Sequence, residues 1–179
     1  MDKLKLMMQS TLVVVLTVMM SANVQAQAPQ LSDAEIASVA VVANKIDVNY
    51  AKIALKKSKS DVVREFANTM IKDHNKIIQL AVDLVTKLHV TPKDNAVSQS
   101  LKKQAAKTKK MLYSKTGSDF DLAYVKNEVA YHEAVINAVK KVLIPQADNA
   151  QLKALLQTVA PILTTHLAHA KMTLKELQK

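Results

Sequence analysis

The sequence predicts an all-α protein, a four-helix bundle with an additional shorter crossover helix. Three observations carry this. One glycine and four prolines in 179 residues leave too little material for tight β-turns or phosphate-cradling loops. Apolar residues recur at alternating spacings of three and four along five segments, the pattern of helices packed in a bundle. Four of those segments are long, each ~40 Å at 1.5 Å per residue.

The first helix is expected over residues 32–57. Ser32 and Glu35 form a capping box, and Asp33 and Glu35 suit the positive end of the helix dipole. Its stripe is Ile36, Ala40, Ala43, Asp47, Tyr50 and Ala54. Ser60 and Asp61 open the second helix, residues 61–88, with the seam Val63, Phe66, Met70, His74, Ile77, Ala81, Leu84 and Leu88. Pro92 ends it, because the residue before a proline avoids the α region. His89 lies near the negative end of that helix dipole and is given no function.

Residues 95–114 form the shorter helix, with Val97, Leu101, Ala105, Thr108 and Leu112 on one face. At ~30 Å it is long enough to return the chain along the bundle, which implies a ferritin-like up-down-down-up order. Gly117 follows it, where a left-handed residue is wanted, and Ser118 caps a fourth helix, residues 118–144. That helix carries Leu122, Val125, Val129, His132, Ile136, Val139 and Leu143, and Pro145 stops it. Asp148 or Asn149 opens the last helix, residues 148–178, through Leu152, Leu155, Val159, Leu163, His166, Ala170 and Leu174. Pro161 within it should kink it and free the carbonyl of Gln157.

Residues 1–26 read as a secretory signal peptide rather than part of this domain, which spans residues 27–179. Lys3 and Lys5 precede the apolar run of residues 11–20, and Val24-Gln25-Ala26 suits cleavage after Ala26. The run is shorter than the ~20 apolar residues of a membrane span. Export to the periplasm or outer membrane is the expectation. The chain has no cysteine, which excludes disulfides, thiolate zinc sites and thiol nucleophiles. No Ser-His-Asp pattern on a strand-to-helix elbow can be assembled either.

Four residues stand where the core should be. Asp47, His74, His132 and His166 each fall on the apolar seam of a different long helix, well inside it. Such groups are destabilising when buried unless paired or ligated. Two readings stand side by side. In one, the histidines anchor an internal hydrogen-bond network with Asp47, Tyr50, Tyr124 or Tyr131 as partners. In the other, imidazoles and a carboxylate hold a divalent transition metal such as zinc, iron, manganese or copper. Glu128, four residues before His132, and His169, three after His166, are weaker candidates for the same set. The Glu-x-x-His pairs of carboxylate-bridged di-iron sites are missing: Ile71, Val129 and Leu163 stand three residues before the histidines.

Lys102, Lys103, Lys107, Lys109, Lys110 and Lys115 crowd the crossover helix without an acidic neighbour between residues 101 and 115. Within a formal net charge of +10, they suit an anionic membrane surface or envelope polymer, or a plainly solvated face. Nucleic acid is not expected, since no aromatic residue interleaves with the lysines before Tyr113. A homo-oligomer is compatible with the sequence but nothing in it supports one.

Three linked motifs then point to a family. Phe66-Ala67, Met70 and Asp73-His74 reproduce an F-A-x-x-M-x-x-D-H pattern; Phe120-Asp121, Tyr124 and His132 follow F-D-x-x-Y…H; Pro161, Leu163 and His166 follow P-x-L-x-x-H. Across residues 31–174 the chain resembles the bacterial exported family catalogued as domain of unknown function 4142, whose members are often labelled outer membrane proteins. The resemblance implies a ferritin-like bundle and no established activity. The family's histidine positions match His74, His132 and His166, and it usually carries Glu where this chain has Asp47, a side chain ~1.5 Å shorter in reach. The sequence thus describes an exported envelope protein with a structural or binding role, with metal or metal-dependent redox chemistry and anion binding as alternatives.

Overall fold

The structure is a computed structural model that describes residues 30–179. The expected signal peptide lies outside them.

Five helices are formed, and no strand occurs among the described residues. α1 (Asp33–Lys57) starts where Glu35 Oε2 accepts from the Ser32 N–H and hydroxyl, at 3.0 and 2.8 Å. α2 (Asp61–Lys87) ends at His89, whose φ of 54° is left-handed. The His89 N–H reaches the Thr86 carbonyl at 3.1 Å and the Val90 N–H the Val85 carbonyl at 2.9 Å. That pair of bonds closes a helix C-terminus, so a histidine fills the place where glycine is usual.

α3 (Ala96–Tyr113) is capped by Asn95 Oδ1, which accepts from the Val97 and Ser98 N–H groups. α4 (Gly117–Ala138) begins one residue earlier than Ser118 implied, with Thr116 as its N-cap and Gly117 at φ 55°. The sharp left-handed step falls on the glycine itself and the helix turns immediately, which leaves Ser118 inside the first turn.

Pro145 does not stop α4 at once. The helix widens into a π turn over Val139–Leu143 and continues through Ile144–Gln146. The proline ring would clash with the Lys141 carbonyl in a regular α turn, and the wider turn relieves that contact. α5 (Ala150–Glu176) starts at Asn149, whose Oδ1 accepts from the Gln151 and Leu152 N–H groups, and it runs through Pro161 as one helix.

Hydrogen bonds between helix ends fix the directions. The Lys93 N–H donates to the Ala34 carbonyl and Asn95 Nδ2 to the Glu35 carbonyl, so α1 and α3 start together. Asp33 accepts from the Asp148 and Asn149 N–H groups at 3.0 and 2.9 Å, which puts the start of α5 there too. At the far end Lys57 Nζ donates to the Tyr113 carbonyl at 2.7 Å. Along the chain the helices therefore run up, down, up as the crossover, down, up. α1 packs on α2, α3 and α4, while α5 packs on α2 and α4. Four long helices make the bundle, and α3 lies outside it against α1.

With neighbours on three sides, α1 buries more than the expected stripe: Ser38, Asn44, Val48 and Ala51 are buried as well. On α4 the buried face is Phe120, Asp121, Tyr124, Val125, Glu128 and His132, while Leu122 and Val129 are only half-buried. Val125, His132, Val139 and Leu143 of the expected seam are buried, and at two places the inward residue is instead the one before, Asp121 for Leu122 and Glu128 for Val129. The apolar core forms two clusters. One surrounds Tyr50, Phe66, Met70, Phe120 and Tyr124; the other surrounds Ile36, Ile77, Leu143, Leu156 and Leu163. The polar residues lie between them.

Candidate metal centre

Each long helix contributes to one level of the bundle. Asp47 comes from α1, His74 from α2, Glu128 and His132 from α4, and His166 from α5. All five are at most 2% exposed. Ring nitrogens of His74, His132 and His166 lie within 4.8 Å of one another, and so do single ligand atoms of Asp47, Glu128 and His132. The three imidazole rings stand with centroids 5.0 to 5.6 Å apart.

The outward nitrogen of each histidine is engaged. His74 Nδ1–H donates to Asn44 Oδ1 at 2.7 Å, and Asn44 Nδ2 donates to the Ala40 carbonyl at 2.8 Å, which fixes the orientation of that amide. His132 Nδ1–H donates to the Glu128 backbone carbonyl at 2.9 Å, within one helical turn. His166 Nε2–H donates to Asp73 Oδ2 at 3.0 Å. Each partner selects the tautomer, so His74 Nε2, His132 Nε2 and His166 Nδ1 carry bare lone pairs.

These three nitrogens, both Asp47 oxygens and both Glu128 oxygens are buried and have no hydrogen-bond partner among the described residues. His74 Nε2 and His132 Nε2 stand 3.5 and 3.6 Å from Asp47 Oδ2. These separations are too long for hydrogen bonds. They match an edge of a tetrahedron whose donors sit ~2.0–2.2 Å from a shared ion. A pocket of about 10 Å³ beside Asp47, His74 and His132 has room for one water-sized ligand.

Burial governs the charge. It pushes the Asp47 carboxyl up from 3.8 to about 7. Glu128 is raised well above its ordinary value by burial and then by the Asp47 charge. Burial lowers His74 to about 2, helped by His166 and His132. His132 falls to about 4 by burial, against the pull of its bond to the Glu128 carbonyl. His166 is lowered by burial and held partly up by Asp73. The imidazoles are therefore neutral at neutral pH, the form that ligates.

Asp47, His74, His132 and His166 are thus brought together, and Glu128 joins them from the fringe. His169 is not brought in; its ring packs edge-on against Phe66 at 5.0 Å. Two tyrosines expected as network partners do not bond to the cluster: Tyr131, beside it, donates to the Ala43 carbonyl at 2.9 Å, and the buried Tyr124 hydroxyl has no partner among the described residues. Asn44 and Asp73, which orient two of the histidines, were not singled out in the sequence. Asn44 stands one turn before Asp47, and Asp73 adjoins His74 in the D-H motif; only their neighbours marked them. On α3, Lys102, Lys103, Lys107 and Lys110 are exposed and Lys109 is half-buried, as is Lys115 just after it. Lys102 pairs with Asp94 at 3.0 Å.

The family model described as a domain of unknown function (DUF4142) matches residues 19–173. No curated protein and no solved structure matches the chain.

Proposed function

We propose that this chain, which belongs to the DUF4142 family, binds a transition-metal ion at the level of Asp47. The observation that carries this reading is the direction of the hydrogen bonds: every ring N–H of the three histidines points away, and bare ring nitrogens and carboxyl oxygens point inward. An inward shell of acceptors is stable only around a cation or around protons. His74, His132, His166 and Asp47 supply three nitrogens and one oxygen, with Glu128 as a further oxygen, a set suited to manganese, iron, zinc or copper.

The rival reading, a purely structural hydrogen-bond network, has its contacts in the outward bonds of the three histidines, but it leaves the inward atoms of Asp47, His74 and His132 3.5 and 3.6 Å apart, too far for hydrogen bonds. Titration calorimetry with Mn²⁺, Fe²⁺, Zn²⁺ and Cu²⁺ tests the proposal. At least one should bind saturably at one site, and His74→Ala should abolish that binding while His169→Ala leaves it intact. Equal binding by wild type and His74→Ala would overturn it. In the same reading, residues 1–26 direct the chain to the periplasm or outer membrane.

A second reading, binding of an anionic membrane surface or envelope polymer, is favoured by a basic cleft. Lys52 and Lys56 of α1 meet Lys109 of α3, beside Asn49 and Tyr113, around about 240 Å³. Vesicles with and without anionic lipid test it, and replacing Lys52, Lys56 and Lys109 with glutamine should remove the difference.

A further inference from the structure

A cavity with an apolar lining lies directly beside the candidate metal centre. This cavity measures about 270 Å³ and draws walls from all five helices. Alanines at positions 40, 81 and 138 leave the space open, and the wide turn of α4 turns Val139 and Leu143 into it. Ala43, Asn44, Tyr131, Val135 and Leu163 line both this cavity and the small pocket against Asp47, His74 and His132. The cavity therefore ends at the metal centre.

Its polar wall atoms are already engaged. Asn44 bonds His74 and the Ala40 carbonyl, and the Tyr131 hydroxyl donates to the Ala43 carbonyl. An apolar interior of this kind stays dry and selects by shape. Gln104 of α3 and Ala134 of α4 are the exposed lining residues, which puts the mouth between those two helices. Lys107, one turn beyond Gln104, is exposed on the same face of α3.

We propose that the cavity binds a single-chain aliphatic carboxylate, its head at the mouth beside Gln104 and Lys107 and its chain along the apolar walls. An apolar cavity of about 150 Å³ holds one benzene, so about 270 Å³ suits a chain of roughly eleven carbons. Two-chain lipids do not fit. The proposal deepens the metal reading by giving that centre a ligand class, while its own support is the shape and lining of the cavity.

Calorimetric titration of the full chain with n-alkanoates from six to sixteen carbons tests it. Affinity should rise about fourfold per methylene and stop rising at ten to twelve carbons. Ala138→Leu, which narrows the cavity without touching the cluster, should weaken dodecanoate binding at least tenfold and leave metal content unchanged. If Ala138→Leu does not fold, the surface variant Lys107→Gln serves in its place. It should weaken dodecanoate and leave dodecanol binding as it was.

Affinity independent of chain length, or undiminished in Ala138→Leu, would overturn the proposal. The metal reading fails separately. Wild type that takes dodecanoate but binds no metal would overturn the metal reading and keep the cavity. Wild type that holds metal and takes no alkanoate does the reverse.

Discussion

Asp47 is the residue on which the charge of the centre turns. Its folded value of about 7 lies above the unfolded 3.8. Its contribution to stability is therefore complete below about pH 4 and is lost as pH rises through 7. A shift of that size corresponds to roughly 4 kcal/mol. In metal-free protein, Asp47→Asn should consequently be stabilising relative to wild type at pH 8 and closer to neutral at pH 5, read from urea midpoints. A variant equally affected at both pH values would mean that the carboxyl does not titrate as described. A bound cation must displace that proton, so metal affinity should climb between pH 5 and 7 and level off above. Asn44→Ala removes the acceptor that orients His74 and should weaken metal binding by 10- to 100-fold without abolishing it, a difference that calorimetry resolves. Four of the five core residues were legible in the sequence because each interrupts an apolar seam. Asn44 and Asp73 were not, since a polar residue at the flank of a helix looks like a solvated one until its partner on another helix is known.

At the level of elements, the joints carry information. Gly117 adopts φ 55°, and a Cβ there would meet nothing within 4 Å. Gly117→Ala should therefore destabilise by about 1–2 kcal/mol through backbone strain alone, seen as a melting temperature lower by roughly 2–8 °C. An unchanged melting temperature would show that the joint relaxes. The sequence placed this glycine at the junction, along with four of the five helix starts, because capping chemistry is local. It placed the stop of α4 too early: Pro145 forbids a regular α turn but not a wide one, and which of the two forms depends on what the helix packs against. The α4 face was misjudged for a related reason. Glu128 and Val129 flank the same line of the helix, and only the carboxylate and imidazoles across the bundle make the charged residue the inward one.

For the whole molecule, the centre and the cavity oppose the ordinary economy of a helical bundle. Buried carboxylates and an unfilled volume both destabilise the empty protein, the latter by roughly 24 cal/mol per Å³, a large share of a total stability that is typically about 5–15 kcal/mol. Occupants restore it. A metal at a hundred times its dissociation constant should add about 2.7 kcal/mol, and because it links α1, α2, α4 and α5 the gain should appear as one cooperative transition. No described helix is long and apolar enough to cross a membrane. The connectivity was readable from helix lengths, because a crossover of some thirty ångströms can only return the chain along the bundle. The cavity was not readable, since it arises from alanines on three helices that meet only in the fold.

The central claim is that the inward acceptors hold an ion. Elemental analysis by mass spectrometry, on protein purified without a histidine tag or chelator, addresses it most directly. The account predicts one transition-metal ion per chain, lost in the His74→Ala/His132→Ala variant, with a lower melting temperature once a chelator removes it. Protein that is metal-free as isolated, and whose melting temperature responds neither to chelator nor to added Mn²⁺, Fe²⁺, Zn²⁺ or Cu²⁺, would contradict it.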